Sequence, residues 1–157
     1  MLTYETIKLP QDNEVITRFR KDSFIVSFGN ADDLKIEEYI RWVEQKASEY
    51  PDGFVLVKKN GETVGQLELQ AIEYEEKRIG YVNLFYLKPE YRGAGFGSYL
   101  MEYARRFFQR EGVSEFHLRV SSTNEQAVRY YQKHGMKQIK QEFNGKVIRM
   151  EGTVSPR

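Results

Sequence analysis

A mixed α+β fold on a mostly antiparallel sheet is what the order of periodic segments in this chain predicts. Three strand patterns follow one another in the middle of the chain, joined by short turns. A single strand–helix–strand unit comes next, and a hairpin closes the sequence. That is not the steady strand–helix alternation of a doubly wound parallel sheet. The count comes to about seven strands and about four helices, in the order β α α β β β α β α β β.

The elements can be justified in turn. Residues 4–9, "YETIKL", read as a short first strand. Over residues 12–28, Val15, Ile16, Phe19 and Val26 suit a helix. A second helix is clearer: Asp32 or Asp33 can cap it, Ile36, Ile40, Val43 and Ala47 share a face, and "YPDG" ends it. "GFVLVKKNGETVGQLELQAI" is strand, Asn-Gly turn, strand, and "RIGYVNLFYLKP" is a third strand stopping at Pro89. Phe96, Tyr99, Leu100, Tyr103 and Phe107 then recur at helical spacing up to Gly112. "SEFHLRV" alternates as a strand, "TNEQAVRYYQKHG" is a short helix stopped by Gly135, and "KQIKQEFNGKVIRMEG" is a hairpin turning on a second Asn-Gly.

Bulk composition narrows the function. One domain over residues 1–157 is expected, long enough for a core, with 40% hydrophobic and 14% aromatic residues. The 24 Lys and Arg nearly cancel the 23 Asp and Glu, and a net charge of +1 argues against nucleic acid or an anionic membrane as the main partner. The absence of cysteine excludes disulfides, thiolate metal sites and a cysteine nucleophile. No apolar run approaches the roughly 20 residues that span a bilayer. The N-terminus has neither a basic start nor an apolar stretch, so a cytoplasmic location is expected.

The segment "YLKPEYRGAGFGSYLMEYARRF" carries the chemistry. Gly93, Gly95 and Gly97 stand where a helix begins, although each glycine costs helical stability. A bare strand-to-helix corner would explain glycines alone. Three of them directly behind Arg92 point instead to an anion at the helix N-terminus. There backbone N–H groups lack partners, the dipole is positive, and no Cβ blocks approach. The guanidinium of Arg92 adds donors suited to phosphate. The spacing does not fit a Rossmann turn, because Ser98 stands where its third glycine belongs and Pro89 to Arg92 separate strand from glycine. A P-loop is missing its Lys-Ser/Thr pair.

With "RGAGFG" in place, the sequence resembles the GNAT superfamily of acyl-CoA-dependent N-acyltransferases. Arg92, Gly95 and Gly97 occupy the defining positions of that family's phosphate loop. A second family pattern is matched by Asn124, Ala127, Tyr131, Gly135 and Met136 in "NEQAVRYYQKHGM". The resemblance is close from about residue 82 to 136 and looser in the N-terminal third. It implies a GNAT-like fold and an acetyl-CoA co-substrate whose pyrophosphate lies on the backbone of Arg92, Gly93, Ala94, Gly95, Phe96, Gly97 and Ser98. It further implies a bulged strand whose backbone near Phe85 and Leu87 pairs with the pantetheine arm, and a following strand, "FHLRV", that splays away.

Asn124 reads from position as an N-cap, with Ser121, Ser122 and Thr123 competing, while the resemblance makes it a contact to the cofactor arm. Tyr131 by itself is one core tyrosine among 11. Under the resemblance it is the catalytic acid for the departing thiolate, protonated at neutral pH because a tyrosine pKa is about 10. No general base is assigned. The strand "GYVNLFYL" holds no carboxylate, Glu68 reads as a surface residue and a weak candidate, and Glu73, Glu75 and Glu76 read as a solvated run. His117 is expected to face away from its apolar neighbours, into the wedge for the acyl group that the resemblance implies between the splayed strands, and His134 to sit at a helix C-terminus where its charge is favoured. Two isolated histidines make no metal site, and this chemistry needs none. The expected activity is transfer of acetyl to a small-molecule or peptide amine by direct attack in a ternary complex, in a monomer or homodimer. A non-catalytic CoA-binding regulatory module is the alternative.

Overall fold

A computed structural model describes residues 1–155. Seven strands form one sheet: β1 (Leu2–Thr6), β2 (Phe54–Lys59), β3 (Glu62–Tyr74), β4 (Lys77–Leu87), β5 (Glu115–Ser121), β6 (Lys137–Glu142) and β7 (Val147–Thr153). Their order is β1-β2-β3-β4-β5-β7-β6, and only the β4–β5 pairing is parallel. Four helices flank it: α1 (Asn13–Phe28), α2 (Ile36–Glu49), α3 (Phe96–Arg110) and α4 (Glu125–Lys133). The mixed α+β plan and the element order are as the sequence predicts.

Alternation along β2 shows how the layers are assigned. Val55 and Val57 join α3 residues Leu100, Ala104 and Phe108 and α4 residue Val128 in one apolar cluster. Phe54 and Leu56 join Ile16 of α1 and Tyr39, Val43 and Ala47 of α2 in another. Successive strand residues face opposite ways, so α1 and α2 cover one face and α3 and α4 the other.

Several boundaries differ from expectation for local reasons. The first strand begins and ends earlier than residues 4–9. The second helix is not capped by Asp32 or Asp33. It starts after Lys35 without a side-chain cap, while the amide of Asp32 donates to Asn30 Oδ1 at 2.9 Å within the connecting loop. Val26 stays half exposed, and α1 buries Ile16 and Phe19. The first Asn-Gly turn forms as expected, with Asn60 and Gly61 both left-handed. Glu75 and Glu76 adopt the same conformation in the β3–β4 hairpin, at a steric cost glycine would avoid.

Candidate active site

The glycine turn follows a short 3-10 segment, Pro89–Tyr91. Gly93 and Gly95 have φ of 78° and 87°, left-handed values that favour glycine, and Gly95 is the N-cap of α3. Neither is closely packed, so backbone conformation explains both. Gly97 is different. It lies in the first helical turn, where a Cβ would collide with the hydroxyl of Tyr130. Two glycines shape the turn, and the third lets α4 close on it.

Amide accounting exposes the turn's chemistry. The Arg92 amide donates to the Pro89 carbonyl at 3.2 Å, and the Ser98 amide to Gly95 at 3.3 Å. Between them, the amides from Gly93 to Gly97 have no backbone acceptor among the described residues. These donors stand at the positive end of a 15-residue helix, with residues 92–95 exposed. The guanidinium of Arg92 departs from expectation. Its Nε donates to the Leu87 carbonyl at 2.7 Å, its Nη2 to Asp22 Oδ2 at 3.2 Å, and it lies 5.3 Å over the Tyr86 ring. It is turned towards α1, away from the bare amides' own hydrogen-bonding.

Beside the turn the sheet opens. β4 and β5 pair only at Gly80↔Phe116, Tyr81↔His117 and Val82↔Leu118, although β4 continues to Leu87 and β5 to Ser121. Pairing stops where β4 bulges. Glu68 opposes Leu84 and Leu69 opposes Val82, which leaves Asn83 as the extra residue. Beyond the bulge the Lys88 amide donates to Val64 on β3. Backbone alternation therefore turns Phe85 and Leu87 to the side β5 has left. The expected bulge, splay and free edge at Phe85 and Leu87 are all present, with the Leu87 carbonyl already held by Arg92.

α4 supplies the side chains over this opening. Asn124 is the N-cap, accepting from the Ala127 amide at 3.2 Å. The half-buried Tyr131 ring packs edge-on against Phe85 at 6.0 Å, and Tyr130 touches both. Burial, with a smaller contribution from Tyr130, pushes the Tyr131 phenol well above its ordinary pKa. Burial pushes Tyr130 to about 12, and its hydroxyl is enclosed without a partner. Both tyrosines keep their protons at neutral pH.

Glu68 is not a surface residue. It is fully buried, accepting from Tyr39 Oη at 2.5 Å and Gln66 Nε2 at 2.8 Å. Desolvation raises its pKa, opposed by Arg20 and by those hydrogen bonds. Nearby, Gln70 Nε2 donates to Asn83 Oδ1 at 2.6 Å, and Arg20 Nη1 to the Asn83 carbonyl at 3.2 Å. Tyr39 and Arg20 belong to α2 and α1, so the polar side of β3 meets helices where the alternation implied water. Glu73, Glu75 and Glu76 are exposed, as expected.

His117 does face away from Phe116 and Leu118, but it lies in the paired part of β5 and is fully buried. The buried Arg149 donates from Nη1 to its Nδ1 at 2.9 Å, so Nε2 carries the proton and donates to Glu115 Oε2 at 2.9 Å. Glu151 completes a cluster with donor atoms within 4.8 Å of one another, beside a cavity of about 340 Å³. Lys77 holds Glu115 Oε1 at 2.6 Å, and both ring nitrogens are engaged, so the group is a hydrogen-bonded brace. His134 caps α4 as expected, but burial, Arg105 and Lys133 lower its pKa and favour the neutral ring.

This geometry coincides with what comparison with known proteins finds. The model of the acetyltransferase (GNAT) family matches residues 14–136. The chain belongs to that family. An uncharacterised N-acetyltransferase of Archaeoglobus fulgidus is 29% identical over 99 residues, covering 61% of this chain and 65% of that protein. Thialysine N-epsilon-acetyltransferase of Sus scrofa is 33% identical over 72 residues, 46% of this chain and 42% of that one. The chain thus matches less than two thirds of the length of these GNAT relatives. PaiA N-acetyltransferase from Thermoplasma acidophilum, solved with coenzyme A, superposes with a TM-score of 0.72 at 20% identity, over 98% of this chain and 99% of that one. At that identity the likeness establishes the GNAT fold alone.

Proposed function

We propose that this chain transfers an acetyl group from acetyl-CoA to a primary amine by direct attack in a ternary complex. The observation that carries the reading is the adjacency of two backbone surfaces without strand or helix partners, the bare amides from Gly93 to Gly97 and the β4 edge at Phe85 and Leu87, of which the Leu87 carbonyl alone is taken, by Arg92. The first suits a pyrophosphate and the second an amide-bearing arm. Coenzyme A contains both, and Thermoplasma acidophilum PaiA binds it.

In this reading the amide cradle runs from Gly93 to Gly97, narrower than the expected Arg92 to Ser98 because those two amides are already bonded within the turn, with Phe96 and Gly97 at its helical end and Asn124 presenting α4 to the arm. The amine nitrogen attacks the thioester carbonyl carbon, forming the C–N bond. Collapse of the tetrahedral intermediate breaks the C–S bond, and Tyr131 donates its proton to the departing thiolate. Burial keeps that proton in place until it is needed. An amine that arrives neutral needs no protein base for the attack: the surplus proton on its nitrogen leaves the tetrahedral intermediate to water, water restores the Tyr131 proton, and an amine that arrives protonated first gives up one proton to water. Glu68 has no part in this step, because it is sealed beneath α2. Thialysine is the amine in the name of the Sus scrofa relative. For this chain the substrate class is a small-molecule or peptide amine.

Thermal unfolding with acetyl-CoA, CoA, NAD and ATP in turn tests the site. At about 100 times Kd, a ligand of the native state adds about 2.7 kcal/mol of apparent stability. A rise with both CoA species and none with NAD or ATP is expected. Indifference of the folded protein to CoA would remove the reading. CoA binding with no turnover across an amine panel would leave the regulatory module.

A further inference from the structure

The slot between β4 and β5 has two faces, and the proposed cofactor site uses one of them. Phe85, Tyr130 and Tyr131 gather on the side of α4. The other face has no such cover over β5. The apolar clusters under α1 and α2 draw on β2 and β4 and include no residue of β5, β6 or β7. With CoA on the α4 side, this second face is the way left for the amine. What stands at its β5 edge therefore bears on which amines are accepted.

That edge is Arg119. Leu118 and Val120 belong to the cluster under α3 and α4, so the residue between them points the other way. Pairing with β4 ends at Leu118, which makes Arg119 the first residue of β5 on the open slot. Its Nε donates to Glu142 Oε1 on β6 at 2.7 Å, and the guanidinium lies 5.0 Å over the Phe143 ring. Partial burial works against its charge, but Glu142 and Tyr81 on β4 outweigh it. The side chain is 41% exposed, and neither Nη group donates to a carboxylate or a carbonyl among the described residues.

These surroundings orient the guanidinium without neutralising it. Glu142 Oε2 is taken by Arg149 Nε at 3.0 Å, with Lys140 Nζ 3.8 Å away. One carboxylate thus answers three cations at this end of the face. Glu115 lies further back on β5, held by Lys77, and Glu151 stands opposite His117. Phe143 joins none of the apolar clusters and is 62% exposed, with a φ of 54° that is costly for a bulky residue. Its ring does its packing against Arg119.

An oriented guanidinium with Nη donors to spare suits a carboxylate, and surplus positive charge beside it disfavours a second ammonium. We infer that Arg119 is a specificity-determining residue that binds a carboxylate on the acceptor, so that the acetylated amine belongs to an amino acid and not to a polyamine. The inference rests on the acetyl-CoA reading and deepens it by naming the substrate class.

Matched acceptors test it: glycine, β-alanine and L-lysine, each as the free acid and as its carboxamide, with putrescine as a diamine lacking both groups. Steady-state kinetics on the parent, Arg119→Gln and Arg119→Lys give kcat/KM for each member of a pair. Calorimetry of the same pairs onto CoA-saturated protein gives affinity without turnover. The parent should favour the acid over its carboxamide. In Arg119→Gln that preference should fall by about 10–100-fold in both measurements, the worth of a hydrogen bond to a charged group, with KM changing more than kcat. Arg119→Lys keeps the charge without the fork and should recover part of the preference. Equal losses for acid and carboxamide, with lower thermal stability, would make Arg119 structural and overturn the inference. So would a parent that prefers putrescine or treats acid and carboxamide alike. Absence of CoA binding, or CoA binding without turnover of any amine, would instead remove the acetyl-transfer reading, and this inference with it.

Discussion

The two halves of β4 have the same backbone and opposite fates. From Gly80 to Val82 the strand is bonded on both sides, and its surroundings are filled: a Cβ on Gly80 would strike the Phe108 ring. Beside it every group of the Lys77–Glu115–His117–Arg149 brace has a partner. From Asn83 to Leu87 the strand is bonded on one side, and its neighbours are a bulge, a bare turn and two protonated tyrosines. The first half holds the more arresting set of side chains, with a buried histidine between carboxylate and guanidinium. The second has the unmet hydrogen bonds. Satisfied charge braces a fold, whereas unsatisfied backbone invites a ligand.

The sharpest way to break that contrast is Tyr131→Phe in the open half. Turnover with a responsive amine should fall by about 10²–10⁴-fold, the usual contribution of a positioned acid. CoA affinity by calorimetry should hardly change. Equal losses in both would make Tyr131 a packing residue. His117→Ala, in the paired half, should do the reverse. It strands a donor of the buried Arg149 guanidinium, at a cost of about 1–3 kcal/mol in urea unfolding, while turnover stays at the parent level. A fall in turnover beyond the loss of folded protein would move the active centre towards the brace.

Glu68→Gln sharpens the picture on the face covered by α1 and α2. Burial raises the carboxyl pKa in the folded state, so the native chain binds the extra proton between the unfolded and folded pKa values. Stability from this group is complete below the unfolded pKa and is lost as pH rises towards the folded one. The difference in unfolding free energy between parent and variant should therefore move in the variant's favour by about 1.4 kcal/mol per pH unit across that window. A difference independent of pH would mean that Glu68 ionises as freely in the fold as outside it.

Much of this was legible where a residue's role is local. Asn60 and Gly61 declare their turn, and Gly93 and Gly95 declare theirs, because left-handed backbone is a property of the residue itself. Asn124 caps its own helix. What escaped depends on partners distant in the chain. In "GQLELQ" Glu68 reads as a surface residue, and only the folding of α1 and α2 over the sheet puts Tyr39 against it. From the sequence Arg92 points to phosphate, since nothing near it announces Asp22, 70 residues away. Gly97 looked like part of the turn, and its real constraint is Tyr130 on another helix.

The bulge at Asn83 has a bearing on how such a site could arise or be erased. One surplus residue opposite β3 bends β4 at the point where β5 departs. Deleting Asn83 would leave Leu84 and Tyr86 facing Phe19, and Phe85 facing α4, because side-chain alternation resumes unchanged on either side of it. The strand could then run straight on beside β5, with its ladder complete and its slot zipped shut. A sheet of seven strands would remain, apolar clusters included, without the open β4 edge that the proposed function uses. On the proposed reading, the slot thus depends on the count of residues in β4 and not on their chemistry.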